Sequence, residues 1–377
     1  MSHLEFFEFL EDQFDKDFPF VAYRKPEESH LKALLQSTDA LHQAINFSES
    51  GFICAPFDSE KQNVLIPSEI SATITSDDFL ETTLENKPTV NTEKDGVEDS
   101  ARTKHLQLVE KGILAIKENR FKKVVLSRVK EVSISEEEPL VIFKSLLMMH
   151  PTAFVYCWYH PKVGLWLGAT PETLLSTKGL SFKTMALAGT QLYQGTLDVE
   201  WDKKNLTEQK LVVNYIEEQL VSVAESVVVS EPKTTKAGQL LHIKSDISGR
   251  LKPDTNTLKQ LVSSLHPTPA VCGLPKSEAK TFILENELYD REFYTGFLGE
   301  LNLSKKISRN KNSRNVENNA YASIKKESHL FVNLRCMQLK DKKALIYVGG
   351  GITSASEPEL EWDETVNKAQ TMLGVFN

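Results

Sequence analysis

The sequence predicts an α+β fold that is built largely on antiparallel sheet. Short β-rich runs follow one another with only brief turns between them, which is typical of antiparallel strands. Helical patterns are fewer and lie between groups of these runs, whereas a parallel sheet would alternate helices with strands. With 377 residues, of which 40% are hydrophobic, the chain can form one large domain or two ordinary ones with a sizeable core.

Each element follows from its local pattern. β-branched and aromatic runs bordered by turn residues predict strands over 124–129, 153–159, 164–168, 174–177, 180–188, 296–303, 330–339 and 344–348. Apolar residues at helical spacing predict helices over 104–119, 207–224, 257–265, 277–286 and 357–373. Two polar stretches interrupt these elements. We interpret residues 67–103 as a linker after an N-terminal segment, and residues 304–328 as a basic hairpin loop between two strands.

Charge and composition exclude several classes of partner. The net charge of −8 argues against nucleic acid or an anionic membrane. No apolar run approaches the roughly 18 residues of a membrane span, and residues 1–5 do not begin a signal peptide, so we expect a cytoplasmic protein. The cysteines are widely separated and mostly flanked by apolar residues, which indicates buried thiols rather than disulfides or a zinc site. They are Cys54, Cys157, Cys272 and Cys336.

The last predicted helix carries acidic residues on one face. Ser356 and Glu359 form an S-x-x-E pattern that predicts a capping box. Glu361, Glu364 and Lys368 fall within about 60° of one another around the helix, on a different arc from an apolar stripe. That stripe contains Trp362, Val366, Ala369 and Leu373. Two carboxylates on one face suit an oxygen-seeking cation such as Mg²⁺, but the helix alone favours a solvated acidic first turn.

Seven segments carry the most specific information on function. In order, they are KKVVLSR (122–128), GATPETLL (168–175), ALAGT (186–190), HPTPAVCGLPK (266–276), YTGFLGEL (294–301), NLRC (333–336) and GGGITSASEPELEWDETVNKA (349–369). Together they resemble the chorismate-utilising enzymes, the family of isochorismate synthase, salicylate synthase, anthranilate synthase component I and aminodeoxychorismate synthase.

The resemblance has consequences for the fold and for the domain organisation. It implies an anthranilate synthase component I-like α/β sandwich, in which two largely antiparallel sheets are flanked by helices and the site lies in the cleft between them. Residues 103–377 are expected to form the chorismate-binding catalytic domain. Residues 1–102 carry no matching motif and are expected to form an N-terminal segment of the same intertwined fold.

The resemblance assigns the catalytic roles to Lys123 and Glu172. In isochorismate and salicylate synthases, a lysine at the position of Lys123 activates the attacking water. Such a lysine needs burial or nearby positive charge to act as a base near neutral pH, although the strand alone would suggest an exposed side chain. Glu172 matches the acid that protonates the departing C4 hydroxyl of chorismate, a role that requires a raised carboxyl pKa.

For a metal cofactor, the resemblance implies Mg²⁺ bound by Glu208, Glu361 and Glu364. The family pattern K-[DE]-x-x-E-H reads KNLTEQ here, so Asn205 and Gln209 depart from it. Asparagine still offers a neutral oxygen, and we therefore expect Mg²⁺ to bind with reduced affinity. The ion would hold the C1 carboxylate of chorismate and offset its repulsion from the acidic helix.

The resemblance also implies a set of substrate-binding residues. Arg335 and Lys368 match cations that hold the substrate carboxylates, a task for which the arginine fork is suited. His242 and Tyr294 match positions that line the pocket, and His242 is expected to orient the ring end of the substrate. Backbone positions at which small residues let donors approach the anions are Gly189, Thr190, Gly349 and Gly351.

Two positions distinguish the activities within the family. Lys123 argues against amination, because the anthranilate enzymes usually have glutamine there, and Ala270 stands where the lyase members usually have threonine. No fused glutaminase domain is found, and no glutaminase subunit is expected. We predict a monomeric isochorismate synthase, an isomerase whose product serves menaquinone or a siderophore. The alternatives are a salicylate synthase and a non-catalytic relative that binds chorismate or a partner protein.

Overall fold

The structure is a computed structural model that describes residues 1–79, 90–91, 96–134, 138–238, 240–253, 257–307 and 323–376. Its strands are β1 Phe20–Arg24, β2 His30–Gln36, β3 Gly51–Ala55, β4 Val64–Pro67, β5 Ser71–Asp78, β6 Val90–Asn91, β7 Lys123–Ile134, β8 Phe154–His160, β9 Gly164–Thr170, β10 Thr173–Lys178, β11 Ser181–Leu192, β12 Ala224–Val229, β13 Lys233–Ala237, β14 Leu240–Leu251, β15 Gly273–Leu274, β16 Phe297–Ile307, β17 Ser323–Val332, β18 Cys336–Lys340 and β19 Lys343–Ile352. Its helices are α1 His3–Asp15, α2 Gly96–Lys117, α3 Pro139–Met149, α4 Lys203–Leu220, α5 Thr257–Leu265, α6 Lys276–Asn286 and α7 Pro358–Leu373, and a 3₁₀ turn at Gly374–Phe376 follows α7.

Two sheets organise the fold. In the described residues the first has ten strands in the order β15-β7-β19-β18-β9-β8-β1-β2-β5, with β6 also paired to β7. The second has nine strands in the order β12-β14-β11-β10-β17-β16-β3-β4, with β13 also paired to β14. All of these neighbours are antiparallel. The predicted α+β fold with two largely antiparallel sheets is confirmed.

Apolar side chains pack in layers on both sides of each sheet. Between the sheets lies an aromatic cluster that includes Tyr156, Trp166 and Phe331. The outer face of the first sheet is covered by α1, α3 and α7, and the outer face of the second sheet by α4 and α5. Alternation gives each strand two faces. One face packs on the helices and the other on the opposite sheet, so both faces of these strands are buried. This explains why many of the strands read as nearly continuous apolar runs.

The chain passes from one sheet to the other at two short connections that matter for the site. Strand β9 of the first sheet leads to β10 of the second through Pro171 and Glu172, and β17 of the second leads to β18 of the first through residues 333–335. The prediction of one continuous strand over 330–339 is therefore wrong. Asn333 fixes the break, since its side-chain amide donates to Phe293 O at 2.9 Å and its amide oxygen accepts from Tyr156 at 2.6 Å.

The N-terminal residues contribute strands to both sheets. Strands β1, β2 and β5 belong to the first sheet, and β3 and β4 to the second. The predicted linker over 67–103 is partly wrong, because it contains β5 and the beginning of α2. Among the described strands, β5 pairs with β2 alone and lies at the sheet edge, and its sequence SATITSDD is largely polar. Edge strands need little burial, so their patterns are easily taken for loops.

Several smaller predictions can be compared with the structure. All four cysteines are free and buried, as predicted. Strand β16 continues to Ile307, and strand β17 begins at Ser323. Both ends of the hairpin loop predicted over 304–328 are therefore strand, and residues 308–322 lie outside the described residues. No helix among the described residues is long and apolar enough to cross a membrane.

Candidate active site

A cleft of about 950 Å³ lies between the two sheets. Most of the residues predicted for the site line this cleft, namely Glu172, Gly189, Thr190, Glu208, His242, Ala270, Tyr294, Arg335, Gly349, Gly351, Glu364 and Lys368. Lys123 and Glu361 lie directly behind the wall, each bonded to a residue that lines it. The structure thus brings all the predicted residues together, while their roles stay predictions.

Lys123 begins strand β7 and is fully buried. Val124 and Leu126 on the opposite face of this strand pack against α2 and α6, so alternation directs Lys123 towards the cleft. Its Nζ donates to Glu208 Oε1 at 2.7 Å. Burial alone would raise the pKa of Glu208, but the Lys123 charge and hydrogen bond outweigh burial and lower it. The interpretation of Lys123 as an exposed strand lysine is excluded.

Glu172 lies in the connection between β9 and β10 and is only 4% exposed. Its backbone is fixed on both sides, because its N–H donates to Thr170 Oγ1 at 3.3 Å and its carbonyl accepts from Val332 N at 3.0 Å. Burial raises the pKa of the Glu172 carboxyl to about 8, against the opposing charges of Lys123 and Arg335. The group is therefore protonated at neutral pH and can donate a proton.

Arg335 is held by a neutral histidine. Burial, reinforced by the Arg335 charge, lowers the pKa of His242 to about 3. Since the imidazole is neutral, the contacts define its tautomer. Nδ1–H donates to Gly189 O at 2.8 Å, and Nε2 accepts from Arg335 Nη2 at 2.8 Å. His242 thus joins the β11 backbone to Arg335, and its contacts make it a positioning residue for the guanidinium group.

Asn205, one of the two departures from the family pattern, has a defined place. Its Oδ1 accepts from the backbone N–H of Thr190 at 3.0 Å. Gly189 beside it has φ +75°, and a Cβ there would lie 3.1 Å from Asn205 Oδ1. The contact therefore requires a glycine. Gln209, the other departure, points away from the cleft and donates to Ser245 Oγ at 2.9 Å.

Three carboxylates predicted to bind metal are each paired with a lysine. The pairs are Glu208 with Lys123 at 2.7 Å, Glu361 with Lys204 at 2.6 Å, and Glu364 with Lys368 at 2.7 Å. Lys204 was not predicted as a site residue, although it opens the KNLTEQ segment. Lys368 also donates to Gly349 O at 2.9 Å. The pairs leave this acidic wall of the cleft close to neutral before any ligand binds.

Helix α7 differs from its prediction in two ways. The capping box is wrong: the N-cap is Glu357 without a side-chain bond, and the Ser356 hydroxyl instead accepts from Thr353 N at 3.0 Å. Glu361 is also not on a solvated arc, since it is 1% exposed. Burial raises its pKa, with Lys204 opposing. The reason is tertiary: Lys204 on α4 supplies a partner that cannot be read from α7 alone.

The geometry around the three glycines of β19, Gly349 to Gly351, tests whether the acids suit a divalent cation. Glu361 Oε2 is buried with no partner at full hydrogen-bond geometry among the described residues, although the Ser356 hydroxyl lies near enough to act on the pKa of Glu361 in the lowering direction. A Cβ at Gly350 would lie 3.4 Å from this oxygen and 3.5 Å from Glu364 Oε1. A Cβ at Gly351 would lie 2.7 Å from Glu208 Oε1. Three acceptor oxygens beside one glycine segment of β19, one of them not bonded to a lysine, fit a hard cation.

The described carboxylates do not yet form a complete shell. Over the described ranges, no group of three or more His, Cys, Asp or Glu side chains is arranged to hold a metal ion. One oxygen of each of the three acids is bonded to a lysine, so a metal ion that used these oxygens would displace the lysines.

Comparisons with known proteins identify the family of the chain. Two family models, both described as chorismate binding enzyme, match residues 57–307 and 320–374. The isochorismate synthase EntC of Escherichia coli is 30% identical over 264 residues, which cover 67% of this chain and 62% of that protein. The chloroplastic isochorismate synthase of Catharanthus roseus is 30% identical over 262 residues, which cover 67% of this chain and 41% of that protein. The chain thus spans less than two thirds of either relative.

Solved structures share the fold over nearly the whole chain. MenF, the menaquinone-specific isochorismate synthase of Escherichia coli, gives a TM-score of 0.75 at 21% identity and covers 96% of this chain and 89% of its own. Anthranilate synthase component I of Streptococcus pneumoniae gives a TM-score of 0.64 at 19% identity and covers 94% of this chain and 92% of its own. At these identities the likeness shows the fold alone, which is the predicted two-sheet sandwich.

Proposed function

The chain belongs to the chorismate-binding enzymes, and from this premise we propose that it is an isochorismate synthase. The reaction adds water at C2 of chorismate, shifts the ring double bonds and releases the C4 hydroxyl. The observation that carries the proposal is a buried lysine, Lys123, close enough to Glu172 for its charge to act on the pKa of that protonated acid. A base for the incoming water and an acid for the leaving hydroxyl are what this reaction needs.

Substrate binding uses the cations of the cleft. Arg335 pairs with one carboxylate of chorismate through its guanidinium fork. Its orientation is set by His242, which remains neutral and therefore accepts a hydrogen bond from it. Lys368 can turn from Gly349 O and Glu364 to a second anionic group, because a lysine side chain is flexible.

The proton transfers follow from the two catalytic groups. Lys123 takes a proton from the water that attacks C2, for which its Nζ must first leave Glu208. Glu172 gives its proton to the C4 oxygen, which departs as water. Glu208, Glu361 and Glu364 would hold a Mg²⁺ ion, which would offset the charge of the C1 carboxylate.

The direct test is the product formed from chorismate. Purified protein with Mg²⁺ is expected to consume chorismate and release isochorismate, identified by chromatography and mass. Added ammonium should give no aminated product, because the proposed nucleophile is water. Failure to consume chorismate under these conditions would favour the non-catalytic relative instead.

Ala270 should determine whether the product is retained as isochorismate. The alanine methyl lines the cleft without a hydroxyl donor or much bulk. We expect Ala270→Thr to divert part of the flux to pyruvate and salicylate, while total chorismate consumption stays within about tenfold of wild type, roughly 1.4 kcal/mol. Ala270→Ser is the matched variant, since it adds the hydroxyl without the methyl group. Stoichiometric pyruvate from the wild-type protein would make salicylate synthase the better assignment.

Glu361 provides the test of the metal site. Glu361→Gln keeps the shape but removes one charge, so we expect an Mg²⁺ requirement raised about tenfold and activity partly restored by excess Mg²⁺. Mg²⁺ should also raise the melting temperature of wild type more than that of the variant. Glu359→Gln is the control, because Glu359 is an exposed acid of the same helix that pairs with Arg102 outside the cleft. Equal activity in EDTA and in Mg²⁺, without a melting shift, would contradict a metal role.

A further inference from the structure

A second pocket lies on the reverse side of the segment that carries Ala270. It has a volume of about 1400 Å³ and shares no lining residue with the cleft. Four lysines line it, Lys61, Lys259, Lys276 and Lys280, and no acidic side chain of the described residues does. The rest of the wall is largely apolar and includes Ile45, Phe47, Val262 and Phe297. The charge of this pocket is therefore opposite in sign to the net charge of the chain, which is −8.

Two of the four lysines keep their charge uncompensated. Lys61 pairs with Asp290, and Lys280 pairs with Asp58 at 2.7 Å. The other two make no ion pair with any described residue. Lys259 donates to Ile45 O at 2.8 Å, and Lys276 donates to carbonyls at the end of α5, including Ser263 O at 3.1 Å. A carbonyl satisfies a donor but does not neutralise an ammonium group, so the pocket holds two net positive charges.

His266 is a buried polar group of the pocket wall. It is 6% exposed, and among the described residues its ring nitrogens have no partner at full hydrogen-bond geometry, although the backbone of Pro56 and Phe57 lies near enough to act on its pKa. Its ring packs edge-to-face against Phe297 with centroids 5.0 Å apart. Burial lowers the pKa of His266 to about 3, with the Pro56 backbone opposing. A neutral imidazole has one donor and one acceptor, and leaving both without well-formed hydrogen bonds in a buried position is costly.

The start of α6 adds a further attraction for anions. The helix begins at Lys276, and Pro275 before it provides no side-chain cap. The first backbone N–H groups of a helix lack intrahelical partners and carry a partial positive charge. A purely structural role, in which Lys276 stabilises the end of α5, would explain why that lysine is there. This role would not explain the buried His266 or the charge on Lys259.

We propose that this pocket binds a small aromatic carboxylate. The carboxylate would lie between Lys259, Lys276 and the start of α6, and the ring would pack on Phe47 and Phe297 beside His266. The apolar wall favours an aromatic acid over a compact inorganic anion, because burial of a ring adds stabilisation that phosphate cannot obtain. The same segment has His266 and Pro267 in this pocket and Ala270 and Val271 in the cleft.

The test uses 4-fluorobenzoate as a probe of the full-length protein, with binding measured by ¹⁹F NMR. An aromatic carboxylate can also enter the cleft, so binding is measured in the Arg335→Gln background, in which the cleft is impaired. We expect binding to persist there, to weaken about tenfold in His266→Phe and about threefold in Lys259→Gln, and to be unchanged in Lys210→Gln. Phenylalanine keeps the packing on Phe297, and Lys210 is an exposed lysine of α4 outside the pocket.

Three results would overturn the proposal. One is loss of all fluorobenzoate binding in Arg335→Gln, which would assign the probe to the cleft alone. Another is equal affinity of Arg335→Gln alone and of Arg335→Gln combined with Lys259→Gln or with His266→Phe, with folding of each checked by circular dichroism. The third is tighter binding of inorganic phosphate than of fluorobenzoate in a competition experiment, which would indicate a compact-anion site instead.

Discussion

Replacing Lys123 with glutamine is expected to lower kcat by about 10²- to 10⁴-fold, the usual contribution of a general base. Glutamine fits the volume of the buried site but cannot take a proton from water near neutral pH. Because Arg335 and Lys368 are unchanged, the Kd for chorismate should change much less than kcat. Turnover is measured as isochorismate formation, and binding is measured by calorimetry with the slow variant.

Lys123→Gln also removes the ion-pair partner of Glu208, so a second variant is needed to separate stability from turnover. Lys123→Gln leaves the Glu208 carboxylate without its partner in a mostly buried position, and an unpaired buried charge is itself destabilising. The double variant Lys123→Gln/Glu208→Gln removes that charge and should regain thermal stability without regaining turnover. If more than about a tenth of wild-type kcat remains in Lys123→Gln, a loss below roughly 1.4 kcal/mol, Lys123 is not the base.

The sequence predicted residues that the structure brings to one cleft, because they sit in ordered motifs and on strands with a simple period. Alternation in β7 places Lys123 on the face opposite Val124 and Leu126, but the strand alone suggested an exposed lysine, whereas the structure buries both faces. Glu172 was assigned through the resemblance, and it lies between two predicted strands. These features depend on residues that are neighbours in sequence, which is the information that patterns contain.

Features that depend on distant residues could not be predicted. The partner of Glu361 is Lys204, on a different helix, and this contact turns an apparently solvated acid into a buried one. Likewise, the break at Asn333 depends on Tyr156 of β8 and on Phe293 in the turn before β16. The strand pattern continues through Leu334 to Leu339, so nothing local indicates that the chain changes sheet and carries Arg335 into the cleft. Tertiary context therefore determines these details of the site.

Glu172→Gln should remove turnover to a similar extent, by about 10²- to 10⁴-fold, because it deletes the proton donor for the leaving C4 hydroxyl. The amide matches a protonated carboxyl in size and charge, so chorismate binding should persist. In the wild type the required form is the acid, and burial raises its pKa to about 8. Turnover that depends on this acid should therefore fall as the pH rises through about 8, which a pH profile of kcat/KM would measure, taking free-chorismate ionisation into account.

Stability provides a readout of Glu172 that is independent of turnover. A folded-state pKa raised from 4.5 to about 8 means that the native protein holds a proton that the unfolded chain releases. Between about pH 4.5 and pH 8, Glu172 is ionised in the unfolded chain but protonated in the native protein. The free energy of unfolding therefore falls as the pH rises through this range, by at most about 1.4 kcal/mol per pH unit. Glu172→Gln cannot ionise, so its stability relative to wild type should increase over this range. If the difference is independent of pH, the carboxyl is not held protonated. If chorismate binding disappears together with turnover, Glu172 has a structural role rather than that of the acid.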